Sequence, residues 1–501
     1  MKLIYLKNFR RGFATNSSST HSIIYKNKED LFEDLNVFEL DYYGRYDKTI
    51  AASKEAKIKY IAAGIKYNTN LFDVMSAYYP QMKEYVKNSE FGMVARGSLS
   101  IGRNFEASVF FLKNVIENEE IVIVGGSDEE GWVYDTCLNH KELSDPDDIG
   151  EANVFKNGNY WVGYGDYNNS RLRFMTEPGE CVPQFPELVD LKITDVCKNN
   201  CKFCYAGSTA KGKHADIDFI EKVVSQLSTQ YLNSHKRLTE FAIGGGNPLE
   251  HPKFNEIVKM INKFGNIVNV TINSKDINSI LEDDERLEVF KEYISGVGIS
   301  VTDVECLDDI VKFKNVLSDK IKQHNNYGHK LFKVPVQFVI HLIPEMLGAN
   351  KTIEILKKAA KLGLYYILFL GYKTIGRAYG SKINKLTDDE LNKISESICI
   401  TSIDTLFANT YKEYLSKNYE SFPYTVTLNE GEFSMFIDAV NKKAYKSSYQ
   451  LEHAYRLDME NEDDWENYNK TWYDVENAFS LIRKDNGYKT YISLKNQNES
   501  E

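Results

Sequence analysis

Apolar residues along the middle of the chain fall into two alternating patterns. Short, largely apolar runs occur at Leu188–Ile193, Leu238–Ile243, Ile267–Ile272, Gly296–Val301, Phe332–Leu342 and Tyr365–Leu370, and they read as buried strands. Between them, Ile217–Leu232, Pro252–Phe264, Asp284–Tyr293, Asp308–His324 and Lys351–Leu362 repeat apolar positions at helical spacing. Strands alternating with helices predict parallel β/α units. Six such strands form either a doubly wound sheet or an incomplete barrel, and in both cases the chemistry belongs at the strand C-terminal ends.

The flanks differ. Residues 29–115 read as mostly helical, with Ser53–Tyr67 and Leu71–Val86 the clearest segments. Glu120–Val124 reads as a short strand, and Gly158–Phe174 as a hairpin turning at Asn168-Asn169. Met1–Leu6 alternates like a strand that His21–Tyr25 could pair with. Pro178, Pro183 and Pro186 mark a boundary. The expected domains are an α+β N-terminal domain at 1–180, a β/α core at 181–384, an α/β extension at 385–455, and an acidic aromatic tail at 456–501 with a helix over Glu462–Phe479. Within the extension, 385–420 reads as helical, while Phe433–Asp438 and Ala444–Tyr449 read as a hairpin.

Composition narrows the function classes. With 501 residues, 42% hydrophobic and 27% charged, the chain can bury a sizeable core in about three domains. It has no apolar run long enough to cross a membrane. A net charge of −11 argues against nucleic acid or a membrane as a partner over the whole surface. Residues 1–28 are basic, Ser-rich and free of acids, as organelle transit peptides are, but the strand-like alternation is the favoured reading. No apolar h-region marks a secretory signal. The seven cysteines are odd in number and three are clustered, which fits a reducing cytoplasm better than a disulfide scaffold.

Those three, Cys197, Cys201 and Cys204, read C-x-x-x-C-x-x-C and follow the first core strand. Three thiolates are one short of closing a metal site. An iron–sulfur cluster held this way keeps one iron free to bind a chelating ligand. A zinc site completed by His214 is the bland alternative. Gly244-Gly245-Gly246-Asn247 ends the second strand, where glycine permits close backbone approach. Two weaker patterns are read as decoys. Gly207–Lys213 fits G-x-x-x-x-G-K, but His214 stands where a hydroxyl would hold Mg²⁺, so Lys211, Lys213 and His214 are expected at the site entrance instead. Cys137 and His140 are too few for a metal site, and Cys306 and Cys399 read as buried thiols.

The run L-K-I-T-D-V-C-K-N-N-C-K-F-C-Y resembles the opening of the radical S-adenosylmethionine (radical SAM) superfamily. The resemblance implies a partial (β/α)6 barrel and a [4Fe–4S] cluster on Cys197, Cys201 and Cys204. S-Adenosylmethionine (SAM) would be bound at the open iron and reductively cleaved to a 5′-deoxyadenosyl radical. A reductant such as flavodoxin or ferredoxin is implied as partner. The same resemblance places the SAM amino group near Gly244, Gly245, Gly246 and Asn247, although Asn247 replaces the usual acid, leaving a carbonyl acceptor without charge. Phe203 would lie beside the adenine, Asn273 and Ser300 at the ribose or carboxylate, and Val339 and Ile340 as an apolar shelf. Arg377 would either clamp a carboxylate or form a surface ion pair. Glu430–Ser448 resembles a SPASM-like extension of peptide-modifying members. Thr427, Ser447 and Ser448 stand near the expected cysteines, so a remnant without auxiliary clusters is implied. A peptide or protein substrate is therefore expected. A nucleoside or small metabolite is the alternative, and a non-catalytic metal-binding or adaptor protein retaining the fold is a third reading.

Overall fold

The computed structural model describes residues 2–11, 22–24, 50–65, 69–87, 105–119, 121–124, 154–164, 170–175, 179–228, 239–318, 336–397, 400–457 and 474–491. They divide into two compact units, one of Met1–Arg11 with Tyr25–Cys181, the other of Gly12–Ile24 with Val182–Glu501. The Asn16–Thr20 run, Cys137, His140 and Cys399 lie outside the described residues, as do the expected elements over 29–49 and 88–104.

In the first unit, β1 (Lys2–Arg11), β3 (Ile50–Ala51), β4 (Ile121–Val124), β5 (Val154–Asn157), β6 (Tyr160–Tyr164) and β7 (Ser170–Met175) form one sheet in the order β3-β4-β1-β7-β6-β5. The pairings are antiparallel. Helices Lys54–Ile65, Thr69–Tyr78 and Phe105–Glu117 carry Ile58, Ile61, Leu71, Met75, Leu112 and Val115 into its core. The expected hairpin is present as β6–β7. The expected pairing of the first strand with residues 21–25 is not. β1 pairs with β4 and β7, while β2 (Ser22–Ile24) belongs to the second unit and pairs antiparallel with residues 401–403 of that unit.

The second unit is built on β8 (Leu188–Thr194), β9 (Glu240–Gly245), β10 (Ile267–Asn273), β11 (Gly296–Ser300), β12 (Gln337–Leu342) and β13 (Tyr366–Phe369), all parallel and adjacent in chain order. These are the six strands expected of a partial β/α barrel. The sheet extends further at both ends. β14 (Ile400–Ile403) adds in parallel beyond β13, in a stretch expected to be helical. At the other edge β15 (Ser434–Asp438) pairs in parallel with β8 and antiparallel with β16 (Lys443–Tyr445), which pairs with β17 (Tyr455–Arg456). In the tail, a helix spans Val475–Asp485, and the earlier part of the expected helix lies outside the described residues.

Alternation along each strand sorts this sheet into two faces. One face presents Val189, Leu191, Ile193, Phe241, Ile243, Val268, Val270, Val297, Ile299, Ile340 and Ile367, which join Phe219, Val223, Phe254 and Ile257 from the flanking helices in one core. Each large apolar side chain buried on this face contributes about 1.5–3 kcal/mol. The register places Asp190, Lys192, Ala242, Gly244, Asn269, Thr271, Asn273, Gly298, Ser300, His341 and Ser402 together on the other face. Polar and small residues there leave a lumen. Among the described residues no helix is long and apolar enough to cross a membrane.

Candidate functional site

The segment after β8 folds back on its own strand. Asp195 N–H donates to Lys213 O at 2.8 Å, Cys197 N–H to Thr209 O at 3.0 Å, and Ala215 N–H to Ile193 O at 2.8 Å. The three cysteines are thereby presented on a compact loop at the C-terminal end of the sheet. The loop is pinned from β13's side by Arg377. Its Nε donates to Cys201 O at 2.9 Å, its backbone N–H to Cys204 O at 3.0 Å, and a terminal nitrogen to Ser208 O. Gly376 makes this approach possible. Its φ is +60°, and a Cβ there would fall 2.2 Å from Tyr205 O. Arg377 is therefore a clamp on the cysteine loop rather than the carboxylate clamp or surface ion pair expected from its sequence position.

The glycine run plays a similar part. Gly246 N–H donates to Thr194 O and Asn247 N–H to Val196 O, both at 2.7 Å, and a Cβ on Gly246 would lie 2.2 Å from Val196 O. This glycine is thus required by backbone packing against the cysteine loop, in addition to any ligand. Asn247 Oδ1 accepts from Leu249 N–H at 3.1 Å, capping the turn Pro248–Glu250, and Nδ2 donates to Asp276 Oδ1 at 3.1 Å. The carbonyl expected to face an amine thus uses one of its two acceptor positions within the turn.

One cavity collects Cys197, Cys201, Phe203, Cys204, Gly244, Gly245, Gly246, Asn247, Asn273 and Ser300, whereas Lys211, Lys213 and His214, expected at the site entrance, do not line it. It also takes in Thr271, from the strand end that carries Asn273, and Asp276, His341, Ile343, Leu370, Tyr372 and Lys373, which no local sequence pattern places in the site. Val339 and Ile340 do not form a common shelf. Ile340 faces the core, and the apolar lining comes instead from Ile343 and Leu370. All three thiols are free and half-buried. Burial pushes the Cys197 thiol up, and Cys204 and Cys201 close by push it the same way. Among the described residues, no three His, Cys, Asp or Glu side chains are gathered for a single metal ion. His214 contacts Thr194 Oγ1 at 2.9 Å and stacks edge-on against His251. It bridges back to β8 instead of opening a helix, so Gly207–Lys213 has no P-loop geometry. Thiolate donors gathered on one loop are the ligand type that iron–sulfur clusters take.

At the cavity wall formed by His341 and Lys373 lies a buried polar group that local sequence patterns do not reveal. Lys373 Nζ sits 4.4 Å from the Tyr205 ring centre and 5.1 Å from that of Tyr449. Burial holds His341 down to about 3, reinforced by Lys373. Burial also raises Asp190, which Lys373 partly offsets and Glu430 reinforces. Glu430 accepts from Thr405 Oγ1 and, at 3.0 Å, from Tyr449 Oη. The extension thus contributes Glu430 and Tyr449 to the lumen. Full burial pushes Glu430 up to about 8 from 4.5. The folded chain then keeps a proton that the unfolded chain releases, so this residue's contribution is most favourable at low pH and is lost as pH rises through that window, by about 1.4 kcal/mol per unit. Glu430→Gln keeps the acceptor and removes the charge. Its melting temperature should match wild type near about pH 5 and exceed it near about pH 9. Thermal melts across that range check this, and a variant less stable at both ends contradicts it.

Residues 191–365 match the radical SAM superfamily. That family uses a [4Fe–4S] cluster and SAM, the cofactors expected from the cysteine pattern. No curated protein matches the sequence. Similar solved structures include Streptococcus suis SuiB bound to the precursor peptide SuiA, at 14% identity and TM-score 0.36, covering 53% of this chain and 60% of that one. SuiB bound to S-adenosylmethionine matches at 14% identity and TM-score 0.35, over 53% and 61%. Native anSMEcpe with bound AdoMet matches at 15% identity and TM-score 0.35, over 53% and 75%. This chain therefore spans about three-fifths of the SuiB chains it matches.

Proposed function

We propose that this radical SAM enzyme, with its radical SAM domain at residues 191–365, holds a [4Fe–4S] cluster on Cys197, Cys201 and Cys204, binds SAM in the adjoining cavity, and modifies a peptide or protein. The observation that carries the reading is the single cavity lined by three free thiols, the Gly244–Asn247 turn, Phe203, Asn273 and Ser300, drawn from four different strand ends. When bound, the cluster and SAM together supply a 5′-deoxyadenosyl radical that abstracts hydrogen from substrate. The protein's part is positioning and exclusion of water. The cysteine thiolates hold the cluster, and the Gly244–Gly246 backbone brings the SAM site against their loop. Phe203 offers a flat apolar surface to the adenine, while Asn273 and Ser300 offer polar atoms to the ribose or carboxylate. Ile343 and Leu370 keep that side of the cavity dry, which protects a reactive intermediate from side reactions.

A one-electron reductant such as flavodoxin or ferredoxin is required, and free cysteines with such a cluster suit a reducing cytoplasm. The peptide assignment is supported by the resemblance of residues 430–448 to the extension of peptide-modifying members. SuiB with its precursor peptide and anSMEcpe with Cp18Cys peptide are peptide complexes of those proteins. The test uses reduced, cluster-loaded enzyme with SAM, offered a pool of unmodified random-sequence peptides and, separately, a nucleoside mixture. SAM- and reductant-dependent mass changes are expected in the peptides. Changes confined to the nucleosides would overturn the peptide assignment.

A further inference from the structure

We propose that Lys373 anchors a carboxylate of the peptide substrate, from an acidic side chain or the C-terminus; this rests on the peptide reading above. The cavity has walls of different origin. The ends of β8 to β11 supply the cysteine loop, the glycine turn, Asn273 and Ser300, which the cluster and SAM would occupy. The ends of β12 and β13 supply His341, Ile343, Leu370, Tyr372 and Lys373. Charge sets this second wall apart. Among the described residues lining the cavity, the basic side chains are Lys373 and His341, and burial holds His341 down to about 3 and so uncharged. Lys373 is therefore the cation of the wall, and it is only 8% exposed. Such a cation attracts a counter-ion far more strongly than one in water, because little solvent competes. The carboxyls within its electrostatic reach answer that charge only in part. Burial biases Asp190 and Glu430 toward their neutral forms, Glu430 up to about 8. Asp276, the carboxylate of the lining, accepts from Asn247 Nδ2 and the Asn273 N–H at the glycine turn. An apolar wall of Ile343 and Leu370 with one ammonium fits a carboxylate on a short aliphatic stem. A phosphate would call for a planar fork or several cations.

The ammonium is fixed in position. Leu370 N–H donates to Leu342 O at 2.8 Å, and Gly371 N–H to Asp404 Oδ1 at 3.0 Å. A Cβ on Gly371 would meet Leu406 Cγ at 2.6 Å, so the loop after β13 lies flush against the helix Thr405–Thr410. From that loop Lys373 Nζ reaches a point 4.4 Å from the Tyr205 ring centre and 5.1 Å from that of Tyr449. Cation–π attraction to both rings holds it there. Tyr205 follows the last cysteine of the cluster loop, and Tyr449 belongs to the extension, where its Oη donates to Glu430 at 3.0 Å. The extension thus helps to place the anchor. A fixed anchor matters for this chemistry, because holding one charged group of the substrate decides which carbon is presented to the radical.

The experiment measures anaerobic retention of peptide pools by cluster-loaded protein in the presence of SAM. The first pool has neutral random sequence around a fixed central Glu, with an amidated C-terminus. The second has Gln in place of that Glu. The third is the Gln pool with a free C-terminal carboxylate. Wild type should retain the first or the third pool about ten- to a hundredfold better than the second, the worth of a charge-assisted hydrogen bond. Which of the two is retained identifies the source of the carboxylate. Lys373→Met should abolish the preference, and Lys373→Arg, which keeps the charge, should keep most of it. Tyr449→Leu removes one of the rings that hold the ammonium and should lower the preference severalfold. The change that SAM makes in the reduced cluster's EPR spectrum should be the same in every variant. The inference is overturned if wild type retains all three pools alike, or if folded Lys373→Met keeps the preference. Where that variant does not fold, an unchanged preference in Tyr449→Leu overturns it. Loss of the SAM-induced EPR change in folded Lys373→Met would assign the ammonium to SAM's own carboxylate and overturn it as well. Wild-type protein that binds SAM and retains no peptide would instead overturn the peptide reading itself, and the inference with it.

Discussion

Cys197→Ala, Cys201→Ala and Cys204→Ala, made together, should abolish cluster binding, taking reconstituted iron from about four per chain to near zero. The same protein should make no 5′-deoxyadenosine. The effect is expected to be complete because no other described thiol can substitute. Cys181 is buried in the first unit, and Cys306 Sγ donates to Asp303 O at 3.2 Å on a different loop. The cost to the cluster-free fold should be small. The three side chains are half-buried on a loop outside the apolar core, so the variant should melt close to unloaded wild type. Iron and sulfide analysis with visible absorption checks the prediction. Undiminished iron in the triple variant would move the cluster elsewhere.

Arg377→Ala should be nearly as damaging to the cluster, although its side chain contributes no ligand atom. The guanidinium ties together the carbonyls of Cys201 and Ser208, seven residues apart on the cysteine loop. Hydrogen bonds from a charged donor contribute about 1.5–3 kcal/mol each, and removal leaves carbonyls to find water. With the clamp gone, the three thiols no longer share one geometry. Iron retention after desalting should fall severalfold, and the loaded protein should lose its added thermal stability. Arg377→Lys should recover only part, because a point ammonium cannot span two carbonyls as a planar fork does. Full iron retention in Arg377→Ala would show that the loop is held by the β8 contacts alone.

The part of the site carried by local pattern was legible in the sequence. Cysteine spacing, the glycine run after β9 and the strand periods needed only neighbouring residues, and the cavity brings them together. What escaped notice depends on partners distant in the chain. Strand β15 pairs with β8 across about 246 positions, and its local pattern showed only the hairpin with β16. Strand β14 has four residues between helices, too short for its period to declare itself. Lys373, Glu430 and Tyr449 meet only because the extension returns to the lumen. Asn247 and Arg377 stand out in the sequence, but each spends part of its hydrogen-bonding capacity on the protein itself. Residue identity left that choice open, and packing decided it.

Product analysis under anaerobic conditions tests cluster, SAM site and radical chemistry together. Wild-type protein, loaded with about four irons per chain and reduced, is given SAM, with the triple cysteine variant as control. The account predicts 5′-deoxyadenosine and methionine from wild type and neither from the variant. Wild-type protein that holds the cluster, is reduced, and leaves SAM intact would contradict it.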